Sequence, residues 1–139
     1  MLWQKPHNGG GTFDKGFTSV RADATIAANQ FVIWDILSTG DNLGFDVIPG
    51  GAASQYGVGI AIQAAVQGDI ILVQTYGVYK DALTDGSVAQ GNQLEAGASG
   101  SLRQAAQTTI TASLGVMDKY GVALATDVGT AGDVFLRCM

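Results

Sequence analysis

The side chains best suited to nucleophilic or acid-base chemistry are few, and they stand far apart. The single cysteine, Cys138, and the single histidine, His7, lie near opposite ends of the 139-residue chain. A thiolate nucleophile needs an electropositive neighbourhood to lower its pKa. Cys138 closes an apolar run instead, so it is expected to act as a small apolar residue with no disulfide partner. A Ser-His-Asp triad would have to recruit His7 from a glycine-rich arm, a poor place to hold an imidazole in one tautomer. One His, one Cys and scattered acids match no zinc or EF-hand spacing, so no metal and no cofactor are expected.

The carboxylates offer acid-base chemistry only if two share a cleft with their pKa values driven apart. Asp41 and Asp46 flank Asn42-Leu43-Gly44-Phe45, Asp81 and Asp85 flank Ala82-Leu83-Thr84, and Asp69 and Asp133 follow glycines. These are turn positions, where an Asp side chain accepts from nearby backbone amides. The glycine runs Gly9-Gly10-Gly11-Thr12 and Gly50-Gly51-Ala52-Ala53-Ser54 lack the Gly-Lys-Ser/Thr ending of a phosphate loop. No catalytic residue is expected, and the chain is read as a non-enzyme.

A length of 139 residues suits one domain. Charged residues make up 14% of the chain, against about a quarter in an ordinary domain, so Gly, Ala, Ser, Thr, Asn and Gln must finish a surface suited to contact with other protein. The net charge is −5 and the seven basic residues are scattered singly, which argues against nucleic acid and anionic lipid as partners. No apolar stretch approaches the ~20 residues of a membrane helix, and the N-terminus has no signal-peptide core.

Twenty glycines with short alternating apolar runs predict an all-β fold, a compact β-barrel or sandwich of short strands with an extended N-terminal arm. The arm covers residues 1–16 and the β-rich domain 17–139. Within it a strand-turn-strand unit occurs at 56–73 and again at 120–137: Tyr56-Gly57-Val58 leads to Gly68-Asp69-Ile70, and Tyr120-Gly121-Val122 to Gly132-Asp133-Val134. Strands are expected near 17–20, 24–27, 31–36, 43–48, 58–64, 70–76, 88–95, 100–105 and 134–138. The stretch 102–114 mixes Ala and Gln with Thr108-Thr109-Ile110-Thr111, and is read as irregular or strand with at most a turn or two of helix.

The succession Gly91-Asn92-Gln93-Leu94, Gly100-Ser101-Leu102, Tyr120-Gly121-Val122-Ala123-Leu124-Ala125 and Gly132-Asp133-Val134-Phe135-Leu136 resembles the small capsid decoration (cement) proteins of tailed bacteriophages. The resemblance covers roughly residues 70–139 and rests on glycine and apolar spacing. It implies a virion structural protein, assembled in the host cytoplasm. Such a protein sits on the exterior of the capsid, usually as a homotrimer, and locks adjacent major capsid protein subunits together.

In that reading Trp3, Phe13 and Phe17 are the candidate capsid or subunit contacts, since an arm that makes no core of its own needs aromatic anchors. The departures from the family are the added N-terminal half and the doubled Tyr-Gly-Val unit. Other self-assembling virion components, a tail-tube or head-fibre protein, are the alternative, with the shell subunit itself less favoured for lack of a long helix. A carbohydrate-binding β module is another, with Trp3, Trp34, Tyr56, Tyr76 and Tyr79 as stacking faces, although Trp34 in its apolar run is expected in the core. A small hydrolase ranks last.

Overall fold

The computed structural model describes residues 15–52, 54, 56–105 and 119–138. The chain is nearly all β, a closed five-stranded barrel with extra strands, as the glycine load and alternating runs predict. Among the described residues nine strands form in chain order: β1 (Gly16–Ala22), β2 (Phe31–Trp34), β3 (Asp46–Pro49), β4 (Gly57–Ala61), β5 (Ile70–Leu83), β6 (Gln93–Ala96), β7 (Leu102–Gln104), β8 (Gly121–Ala123) and β9 (Ala131–Arg137). The sheet runs β1-β3-β2-β4-β5 and closes on itself through β1–β5; beyond β5 it continues as β9-β8-β6-β7.

The 14-residue β5 belongs to both parts. Its first half pairs with β1, from Arg21↔Ile70 to Gly16↔Tyr76, and with β4 at Ile60↔Gln74 and Ala61↔Val73. Its second half pairs with β9, from Tyr76↔Arg137 to Leu83↔Ala131. Two left-handed backbone positions, Gly77 (φ 99) and Asp81 (φ 61), let the strand bend from one part into the other. A β-bulge between Tyr79 and Ala82 marks the second bend.

Two cores result. Val20, Ile26, Val32, Val47, Val58, Ile71 and Val73 fill the barrel. Phe31, Ile33 and Ile60 point the other way, into a second core with Tyr79, Leu94, Leu102, Tyr120, Val134 and Leu136. The outer strands therefore fold back over the β2–β4 wall, so both faces of β2 and β4 are buried. That is why Phe31-Val32-Ile33 reads as an unbroken apolar run rather than an alternating one.

Barrel closure depends on a short seam. β1 and β3 pair in parallel only at Arg21↔Asp46 and Ala22↔Val47. Across that seam Arg21 donates to Asp46 twice, Nε to Oδ1 at 2.6 Å and Nη2 to Oδ2 at 2.7 Å, and Ser38 Oγ donates to Oδ2 at 2.6 Å. Charge-assisted bidentate pairing of this kind fixes geometry as well as adding energy. The guanidinium and the Ser38 hydroxyl hold the Asp46 carboxyl below the usual carboxylate range. The turn role expected for Asp46 is corrected here: it is a strand residue, buried, closing a barrel.

The two copies of the repeat each form an antiparallel pair, β4–β5 and β8–β9, with different registers. Tyr56 is largely exposed, whereas Tyr120 is buried and reaches across to the first copy. Its hydroxyl donates to the Ser54 carbonyl at 2.7 Å and accepts from the Gly57 amide at 3.1 Å, while its ring lies 4.8 Å from that of Phe31. Both repeat glycines stand at close approaches. A Cβ on Gly57 would lie 2.4 Å from Tyr120 Cε1, and one on Gly121 2.1 Å from the Phe135 carbonyl oxygen.

Elsewhere the expected strands shift. Residues 24–27 contribute only an isolated bridge, Ile26↔Ala65. Leu43 to Phe45 form a turn, because the 3-10 turn at Gly40–Asn42 and the left-handed Gly44 (φ 80) reverse the chain first. The strand expected at 88–95 begins only at Gln93 and runs to Ala96. Residues 102–104 are strand, and most of the ambiguous 102–114 stretch lies outside the described residues.

Candidate docking surface

The side of β5 opposite Ile71, Val73 and Tyr79 is mostly apolar as far as Val78, with Gln74 within it and Lys80 after it. Ile70, Leu72, Tyr76 and Val78 alternate outward along it and are 37–58% exposed. β1 adds Phe17, 46% exposed, opposite Gln74, and β9 adds Phe135 opposite Val78. The Tyr76 and Phe135 rings meet edge to face at 5.3 Å. The result is one stripe running from the barrel wall onto the outer sheet.

Gln74 separates Leu72 from Tyr76 at the centre of the stripe. It lies on the same side of the strand yet is only 3% exposed, since its partner on β4 is Ile60 of the second core, and its Nε2 donates to the carbonyls of Tyr76 and Val78, 3.0 Å each. The glutamine is thereby spent on the backbone and leaves its apolar neighbours as the presented surface. Contiguous exposed apolar surface of this kind marks interaction sites on soluble proteins.

Of the candidate contact residues, Phe17 lies in this stripe, and Trp3 and Phe13 lie outside the described residues. Sequence reasoning passed over Ile70, Leu72, Val78 and Phe135. Ile70-Ile71-Leu72-Val73 is apolar at every position, so alternation could not separate outward from inward residues.

The chemistry-bearing residues go elsewhere. Cys138 packs against the second core, where burial pushes its thiol up to about 12. Asp69 accepts from the Val66 amide, Asp85 from the amide and hydroxyl of Ser87, and Asp133 from the Asp81 amide. Asp127 accepts from Thr84 Oγ1 at 2.7 Å and from the Val88 amide. Glu95, also buried, pairs with Arg103 Nε at 3.0 Å. No three or more His, Cys, Asp or Glu residues gather as a metal site among the described residues.

The aromatic residues divide. Tyr79 is buried with its hydroxyl donating to Asn29 Oδ1 at 2.6 Å; burial, and then Asp81, raise its pKa. Trp34 is half-buried against the barrel core. Tyr76 belongs to the stripe.

Fold and surface together define a β-barrel protein with a second β layer and an uncovered apolar face along the shared strand. No family model matches the sequence, and no curated protein does. Among solved structures, the chain is similar in fold to the N base of the head fibre gp8.5 of bacteriophage phi29. That match has a TM-score of 0.60 at 15% identity and covers 88% of this chain and 93% of that one.

Proposed function

We propose that the chain is a structural protein of a phage virion that sits on the outside of the head and binds the major capsid protein. The observation that carries this reading is the fold likeness to a phage head-fibre base, which extends over nearly the whole of both chains. The low charge and the stripe around Phe17 support it, since a protein of this class gains affinity from many modest apolar contacts repeated by symmetry. In this reading it acts as a decoration protein, a homo-oligomer with a trimer favoured. Trp3, Phe13 and Phe17 anchor it across neighbouring shell subunits.

A second reading, the base of a head fibre, is favoured by the same likeness. The two differ in what binding does to the shell. Purified protein is co-sedimented with phage heads that lack it, and the heads are then heated. Saturable binding at a fixed ratio to shell subunits with a raised rupture temperature is the expected result for a cement. Saturable binding without added heat resistance supports the fibre base. Absence of binding refutes both.

A further inference from the structure

The barrel seam is zipped at only one end of β1. β3 pairs with β1 at Arg21↔Asp46 and Ala22↔Val47 and follows it no further back, because the Phe45 amide donates to the Asn42 carbonyl, the Leu43 amide to that of Gly40, and the left-handed Gly44 (φ 80) turns the chain away. From Val20 back to Gly16, β1 is held by β5 alone among the described strands. The bonds at its far end show which way its backbone groups point. The Arg21 amide donates to the Phe45 carbonyl on the β3 side, and the Ala22 amide to the Asp69 carbonyl on the β5 side. Strand alternation therefore turns the N–H and C=O of Ser19 and Phe17 toward the line of β3, where no strand stands opposite them among the described residues. Both residues are exposed. A strand edge left open in this way is a template for one more strand.

We propose that this edge receives an extended segment of the major capsid protein, added to β1 in the line that β3 leaves at Asp46. The strand addition rests on the shell-binding reading above. The open N–H and C=O groups recur at every second residue, a pattern that another extended backbone matches. β3 already fills the line from Asp46 onward, so the opening suits one strand set end to end with β3 rather than the wall of a second copy. Phe17 also belongs to the apolar stripe, so a strand bonded to its backbone makes one continuous contact with that face.

Proline at position 19 tests the edge without touching the β5 ladder. Ser19→Pro removes an N–H that points away from β5, a place where a strand tolerates proline, and Thr18 before it is already extended. Ser19→Ala keeps the N–H and serves as the reference. The expected result is cooperative melting of both variants, with Ser19→Pro binding heads about tenfold more weakly than Ser19→Ala in co-sedimentation. Equal binding by the two overturns the proposal. Residue-resolved hydrogen exchange of the wild type reads the same edge, and decides whether or not Ser19→Pro folds. The amides of Phe17 and Ser19 are expected to exchange fast in the free protein and about tenfold more slowly on heads, while those of Thr18 and Val20, bonded to β5, stay slow in both. Phe17 and Ser19 amides that remain fast on heads overturn the proposal. Protection already present in the free protein also overturns it, and assigns the edge to a second copy where dilution removes that protection. A wild type that does not sediment with heads overturns the shell-binding reading, and the added strand with it.

Discussion

Replacing Tyr120 by Phe isolates one polar contact between the outer sheet and the barrel. The substitution keeps the ring against Phe31 and removes one oxygen, which donates to Ser54 and accepts from Gly57. A hydrogen bond contributes about 0.5–1.5 kcal/mol net, and a buried group left without a partner costs about 1–3 kcal/mol. Ser54 and Gly57 are only half-buried, so solvent recovers part of the loss and the lower end of each range applies. Two bonds at that level come to about 2 kcal/mol. For a domain of this size that lowers the melting temperature by about 6 °C.

Urea unfolding followed by far-UV circular dichroism measures the change, with Tyr56→Phe as the control. Tyr56 holds the same place in the repeat but is largely exposed, and its loss is expected to cost under about 0.5 kcal/mol. Equal stability of Tyr120→Phe and the wild type, or equal costs at the two tyrosines, would refute the view that the second copy of the repeat is buttressed on the first.

Acid should loosen the barrel at its parallel seam. Asp46 has a lowered folded-state pKa, so its contribution is present above the unfolded carboxylate value of about 3.9 and is lost as pH falls through the folded one. Asp46→Asn should therefore be less stable at neutral pH and flatten the stability profile below about pH 4, measured by urea midpoints across pH. Cys138, with its thiol near 12 rather than 9.0, should alkylate about a thousandfold more slowly in the native protein than in urea, as timed by mass spectrometry with iodoacetamide. Gly121→Ala places a methyl group against the Phe135 carbonyl and should cost about 1–3 kcal/mol by urea denaturation, since the strands must part to admit it. In the head-binding assay, Leu72→Glu should weaken association while leaving the melting temperature nearly unchanged, because its side chain faces outward.

The fold class was legible because glycine content and short apolar runs constrain it, and Phe31 to Trp34 and Ile70 to Tyr76 were strong enough to read as strands directly. The far half of β5 was not. Gly77 and Asp81 look like terminators, but here their left-handed backbone bends the strand onward to Leu83. Arg21 and Asp46 lie 25 positions apart, and nothing local distinguishes a seam-closing pair from two solvated charges. The same limit applies to the stripe. Which face of Ile70 to Val73 looks outward is decided by β1, β4 and β9, partners that no short window contains.

β5 also governs how the chain reaches its structure. Besides its local pairing with β4, two ladders join it to β1 on one side of the sequence and to β9 on the other, partners roughly 50–60 residues away, so local contacts alone complete neither part. Folding should fall in the millisecond-to-second regime of high-contact-order β proteins. A strand common to both halves also makes separate melting costly: losing the outer sheet bares one end of β5, and opening the barrel frees the other. The molecule should thus unfold in one step, without a surviving half.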